Sequence, residues 1–222
     1  PYTQVYTSRG CIHQCPYCPV PALRPDGFDA RMPEQVAEEW RLLMDNHGIK
    51  SIHVEDDNFM EDPQRVRDIC DQLNALPNTF QWELVNGIRV DQVDAHLLER
   101  MAEAGCKRIV FSFEHLSPEG SPAIGYDNTE AQRAIRDARK VGMRVGGYFI
   151  VGIPGVSLQQ TLSSIRMSLQ LHLDDANWVP FYETPGSGYA GAATTVDQSS
   201  ISKSHAVRLA KAAHLFFFTK PR

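Results

Sequence analysis

No stretch of this sequence approaches the roughly 20 consecutive apolar residues of a membrane-spanning helix. The longest candidate, Tyr148–Ile153, has the length of a buried strand. Neither end carries a basic run, and the formal net charge is −5. A dedicated surface for nucleic acid or for an anionic membrane is therefore not indicated. Cysteine is sparse and unevenly placed: five in all, an odd number, with three between positions 11 and 18. That distribution suits a metal site in a reducing compartment, here the cytoplasm, better than a disulfide framework. No internal repeat divides the chain. The one low-complexity stretch, Thr184–Ser200, is rich in Gly, Ala, Ser and Thr and reads as a loop.

What is present is ordinary globular material, with 42% hydrophobic and 22% charged residues over 222 positions. Strand-like and helix-like segments alternate from end to end. Gln4–Thr7, Ile49–Glu55, Phe80–Val85, Arg108–Phe113, Val145–Gly152 and Asn177–Phe181 are rich in β-branched and aromatic residues, as buried strands are. Between them the apolar spacing is helical. Val36, Trp40, Leu43 and Met44 form one stripe, with Pro33 near its start and Gly48 beyond its end. Val66, Ile69, Cys70 and Leu73 form a second, opened by Asp62 and Pro63 and closed by Pro77. Leu97, Leu98 and Met101 form a third. Thr129 with Gln132, and Ser157 with Gln160, read as capping boxes of two more helices, and a last helix spans about Ser202 to Phe218. Six β-then-α units in series demand parallel strands with crossover helices. Periodicity alone leaves a doubly wound sheet and an incomplete barrel both open.

The three clustered cysteines follow the first strand as Cys11-Ile-His-Gln-Cys15-Pro-Tyr-Cys18. In a parallel α/β fold the carboxyl ends of the strands form the face on which sites are built. A structural zinc site takes four protein ligands, and His13 is the local residue able to complete one. Three thiolates on a four-iron cluster would instead leave one iron open for chemistry.

The C-x3-C-x2-C spacing, with aromatic Tyr17 before the third cysteine, resembles the signature of the radical S-adenosylmethionine (SAM) superfamily. Thr7-Ser-Arg-Gly-Cys11, Glu55-Asp-Asp-Asn-Phe59, Asn86-Gly-Ile-Arg-Val-Asp91 and Gly152-Ile-Pro-Gly155 resemble the branch that often carries a cobalamin-binding domain. The resemblance implies a partial (β/α)6 barrel of TIM type holding a [4Fe–4S] cluster on Cys11, Cys15 and Cys18, with SAM across the open top. It implies reductive cleavage of SAM to methionine and a 5′-deoxyadenosyl radical. An electron donor such as flavodoxin or ferredoxin would drive it. Hydrogen abstraction, or methyl transfer with cobalamin on a domain outside this chain, would follow.

The same resemblance places the SAM contacts. Tyr17 sits beside the cluster. Asp57, or failing it Asp56, accepts from the methionine ammonium, against the plain reading of strand-end carboxylates as turn residues. Glu114 lies near the ribose or methionine, although His115 stands where the family usually has Ser. Asn86 and Arg89 pair with Glu114 or with the SAM carboxylate, and the backbone around Val151–Ile153 meets the adenine. Val156 stands where an acidic residue is usual, so Ser157 is left to cap the following helix. Cys70, on an apolar helix stripe, and Cys106, at a strand entrance, read as core residues. The barrel is expected over 1–200, with 201–222 a helix leading toward a further C-terminal segment, against which the apolar Leu215–Phe218 would pack. The competing reading is a non-catalytic zinc-binding α/β module.

Overall fold

The computed structural model describes residues 1–76, 80–116, 128–190 and 201–219. Six parallel strands form one sheet: β1 (Tyr2–Val5), β4 (Ser51–Val54), β5 (Gln81–Ile88), β6 (Cys106–Glu114), β7 (Arg144–Val151) and β8 (Asp175–Pro180), side by side in chain order. Two short strands, β2 (Ser8–Arg9) and β3 (Asp29–Ala30), pair antiparallel beside it. The crossovers are helical: α2 (Pro33–His47), α3 (Pro63–Asn74), α4 (Ala95–Glu103), α5 (Asn128–Lys140) and α6 (Leu158–Gln170). A short α1 (Val20–Leu23) precedes them, and α7 (Lys203–Thr219) follows β8.

A doubly wound sheet reverses its strand order at a switch point. This order runs straight through. The crossover helices lie edge to edge, α2 on α3, α3 on α4, α4 on α5 and α6 on α7, with α7 covering β8. That is the partial (β/α)6 barrel of the sequence reading.

Local chemistry explains why the helices begin where they do. Asp62 accepts from the Gln64 and Arg65 amides to open α3, and Asp94 accepts from Leu97 to open α4. The Ser157–Gln160 capping box is present on α6. Thr129, by contrast, lies inside α5 instead of at its N-cap. α3 ends at Asn74; Pro77 lies outside the described residues, as does the expected domain boundary at 200.

The helix-facing side of the sheet carries the core. Phe113, Phe149 and Trp178 stack across β6, β7 and β8 with centroids 5.3 Å apart at each step, and Phe217 of α7 meets Trp178 at 5.5 Å. Trp40, Trp82 and Phe59 fill the β4–β5 end. Cys70 and Cys106 are both in this core, and burial pushes the Cys70 thiol up to about 12 and raises that of Cys106 too. At the end of α7, Leu215, Phe216 and Phe218 are exposed while Phe217 is packed.

The opposite side of the sheet carries a charged cluster. Arg108 on β6 donates from Nε and Nη2 to Asp175 on β8, at 3.0 and 2.7 Å, and lies 3.6 Å from Glu83 on β5. The Arg108–Asp175 pair therefore crosses over β7, and it does so at Gly146. A Cβ there would stand 2.5 Å from Asp175 Oδ1 and 3.2 Å from Val110 Cγ2. Gly146→Ala is thus expected to push the ion pair apart and lower stability by about 1–3 kcal/mol, read from urea unfolding. An unchanged midpoint would show that the pair tolerates the methyl.

Candidate active site

The cysteine loop is a closed excursion with a fastened neck. Ser8 pairs with Ala30 and Arg9 with Asp29, so the chain leaves and re-enters through β2 and β3. Gly10 adopts φ +85°, and a Cβ on it would lie 2.0 Å from the Gly27 carbonyl oxygen, so the two sides of the neck touch.

Three groups tie the neck to the sheet. Asp56, buried at the end of β4, accepts from the Thr7 amide at 2.6 Å, the Thr7 hydroxyl at 2.5 Å and the Ser8 hydroxyl at 2.6 Å. Asp57 Oδ2 accepts from the Gly10 amide at 2.8 Å. Arg65 of α3 donates to the Thr7 and Arg31 carbonyls, one on each side of the neck, at 2.6 and 3.0 Å. This also explains why β1 stops at Val5, short of the expected Thr7: the polar groups of Thr7 are used by Asp56 and by Arg65 and Arg31.

Within the loop, all three cysteines are free and partly buried, and the Cys18 amide donates to the Cys15 carbonyl at 3.0 Å. Burial pushes the Cys11 thiol up to about 11. The His13 backbone amide and the Asn58 side chain work against that rise, and the nearby Glu61 carboxylate adds to it. Burial likewise raises Cys18. The Val20 backbone amide opposes this rise, and the negative charges of Cys15, Asp57 and Glu114 add to it. Asp57 and Glu114 therefore lie near enough for their charge to act on Cys18. Thiolates are what bind metal, so assembly of a centre here would release protons.

The other strand ends supply the rim. Both β5 and β6 lose regular register near their carboxyl ends, β5 between Leu84 and Ile88 and β6 between Ser112 and Glu114. Such irregularities re-aim side chains beside active sites. On β5, Asn86 donates from Nδ2 to the Asp56 carbonyl at 3.1 Å. On β6, Glu114 sits at φ +55°, buried, hydrogen-bonded to Tyr17 and Ser112. Burial holds its carboxyl up at about 7 despite those bonds. The adjacent His115 is buried as well, which pushes its ring pKa down. Arg89 is ion-paired with Asp91, Nε to Oδ1 at 2.9 Å.

Val151 and Ile153 are buried at the end of β7, where their carbonyls accept from the Phe181 and Val156 amides. The loop after β8 returns toward the cysteines: Gly188 lies against Pro16 and Gly186 against Ala22. The sequence marks Thr184–Ser200 as a loop, of which residues 191–200 lie outside the described residues.

Sequence reasoning missed three participants. Asn58 donates to Cys11 Sγ at 3.7 Å, Glu61 accepts from the Ile12 amide at 3.3 Å, and Gln92 meets the His13 ring at 3.1 Å. Asn58 and Glu61 lie in the same turn after β4 as Asp56 and Asp57, but their reach to the cysteine loop is a long-range contact that spacing does not carry. Donor atoms of Cys11, His13 and Glu61 also lie within 4.8 Å of one another, a set that suits a single divalent ion. Cys15 and Cys18 are outside that set.

Comparison with known proteins agrees with the fold. The family described as the Radical SAM superfamily matches residues 5–167. An uncharacterized methyltransferase from Pyrococcus horikoshii is 29% identical over 189 residues, covering 84% of this chain and 41% of its own length. Cytidylyl-2-hydroxyethylphosphonate methyltransferase from Streptomyces wedmorensis is 30% identical over 165 residues, covering 69% of this chain and 30% of its own length. The chain thus spans less than half the length of these curated relatives. Among solved structures, the radical SAM methyltransferase TsrM from Kitasatospora setae, with cobalamin and a [4Fe–4S] cluster bound, superposes with a TM-score of 0.72 at 18% identity. It covers 84% of this chain and 35% of its own. The cobalamin-dependent enzyme OxsB gives 0.61 at 20% identity, over 76% of this chain and 26% of its own. Among the described residues no helix is long and apolar enough to cross a membrane.

Glu114 gives a pH test of the metal-free protein. Its folded value, about 7, lies above the ordinary 4.5, so between those values the native state holds the extra proton. Stability from this group is full below about 4.5, falls as pH rises through about 7, and stays low above that. Glu114→Gln is expected to flatten that slope in urea unfolding across this range. Identical slopes in wild type and variant would place the Glu114 carboxyl in a more solvated setting than described.

Proposed function

This chain belongs to the radical SAM superfamily, and on that basis we propose that Cys11, Cys15 and Cys18 hold a [4Fe–4S] cluster for reductive cleavage of SAM. The observation that carries the residue assignment is the loop itself. Three free, partly buried thiols lie in one loop at the carboxyl end of β1, with the neck of that loop fastened by Asp56, Asp57 and Arg65. Three sulfur donors suit a cluster with one open iron and fall short of a closed structural zinc site. When bound, the cluster would supply the electron that splits SAM into methionine and a 5′-deoxyadenosyl radical.

The chain's own residues would bind and orient. Asp57 is the better placed of the two carboxylates for the methionine ammonium: it is exposed and one oxygen serves Gly10, whereas Asp56 is buried with both oxygens engaged at the neck. Tyr17 in the loop is bonded to Glu114 of β6, and a carboxyl titrating at about 7 can meet a ligand hydroxyl as donor or acceptor. Asn86 and Arg89, at and just beyond the end of β5, flank the methionine carboxylate. Val151 and Ile153 form the adenine platform.

Methyl transfer is the outcome the named relatives support, with cobalamin on a part of the protein outside this chain. A flavodoxin- or ferredoxin-type donor would supply the electron, in the cytoplasm. The Cys11–His13–Glu61 set favours one rival reading, a single zinc ion on the same loop.

Anaerobic reconstitution decides between them. Wild type is expected to take up iron and sulfide and to form 5′-deoxyadenosine from SAM. Cys11→Ala, Cys15→Ala and Cys18→Ala should each lose the cluster, while Cys70→Ala and Cys106→Ala keep it and lose about 1–3 kcal/mol of packing. One zinc without sulfide, or cleavage retained in Cys15→Ala, would overturn the assignment. In a separate measurement, Asp57→Ala at full cluster content is expected to weaken SAM binding about tenfold. Unchanged affinity would move the ammonium contact elsewhere on the rim.

A further inference from the structure

The Cys11 sulfur receives a hydrogen bond whose donor is oriented from its far side. Asn58, buried in the turn after β4, accepts from the Met60 amide on Oδ1 at 3.3 Å. Its Nδ2 then donates to Glu61 Oε2 at 2.8 Å and to Cys11 Sγ at 3.7 Å. The reversed amide would set Oδ1 against a carboxylate and a sulfur, and the NH2 group against an N–H donor. Only the observed orientation satisfies all three neighbours. Glu61 Oε2 also accepts from the Ile12 amide, so the bracket grips the loop on the residue next to Cys11.

We propose that Asn58 is a positioning residue for the metal centre, its amide N–H on the Cys11 sulfur raising the reduction potential of the cluster. The proposal rests on the cluster assignment above. A cluster that gains one electron places more negative charge on its sulfur ligands, and an N–H dipole aimed at such a sulfur favours the reduced state. The Glu61 carboxylate, which also lies against Cys11, acts in the opposite sense. Replacing the Nδ2 donor therefore removes a favourable dipole and leaves the unfavourable charge in place.

Potentiometric titration of the reconstituted enzyme, read from the paramagnetic signal of the reduced cluster, tests this in wild type, Asn58→Leu and Asn58→Asp. Iron and sulfide are quantified first in each. Leu has nearly the same volume but no polar atoms. Asp keeps an acceptor for the Met60 amide and sets a charged oxygen where the donor was. The expected order of potentials is wild type, then Leu, then Asp. The Leu equilibrium should shift about tenfold toward the oxidised form, ~59 mV for one electron.

A purely structural role ranks the variants the other way, because Asp preserves the Met60 contact and Leu does not. That order, or three equal potentials, overturns the proposal. If the Leu variant fails to assemble, a lower potential in Asp than in wild type supports the proposal, and an equal or higher one overturns it. Wild type holding zinc, or no sulfide, overturns the cluster assignment and this proposal together. Full clusters with unshifted potentials overturn this proposal alone.

Discussion

The neck of the cysteine loop is where the rest of this structure converges. A parallel sheet fixes strand ends rigidly, but a loop of the length between β2 and β3 has no intrinsic reason to hold three sulfurs in one place. Asp56 supplies that reason. Its carboxylate is buried and takes three hydrogen bonds from two consecutive residues, Thr7 and Ser8, while Arg65 holds the carbonyls on both sides of the neck. A buried carboxylate with that many donors and a cation close by is a satisfied charge, and removing any partner leaves a buried polar group unmatched. The cysteines inherit their position from this contact between the segments that follow β1 and β4.

The fold arranges the remaining groups around that fixed point. Because the strands run in chain order, the ends of β4, β5, β6 and β7 present their residues as successive segments of one rim. Asp57 comes from the first, Asn86 from the second, Glu114 from the third and Ile153 from just beyond the fourth. Irregular register at β5 and β6 re-aims two of them, and the loop after β8 closes back on Pro16. Burial then sets the electrostatics. It raises the thiols of Cys11 and Cys18 and the carboxyl of Glu114, so the site resists charge until a ligand or metal compensates.

Much of this was legible in the sequence because it rests on local signals. Six β-branched and aromatic runs became the six strands, and apolar spacing with Asp62, Ser157 and Gly48 marked helix ends. The cysteine spacing drew attention to the loop after β1. What was not legible depends on long-range geometry. Strand patterning could not say whether the order reverses, since both architectures need the same buried runs. Asp56 and Asp57 are adjacent and alike in sequence, yet the pleat and the turn bury one and expose the other. Asn58 and Glu61 act on a loop 47 and 49 positions away. Thr129 resembled a helix cap in spacing alone, and α5 begins before it.

On the reading proposed above, Cys11, Cys15 and Cys18 are the complete protein ligand set of a four-iron cluster with one iron left for SAM. Mössbauer spectroscopy of protein reconstituted with enriched iron, recorded with and without SAM, tests it most directly. Four-iron clusters are expected in which a single iron site changes its parameters when SAM is added, the other three staying as they were. Four equivalent thiolate-ligated irons indifferent to SAM, or a protein that retains no iron, would contradict it.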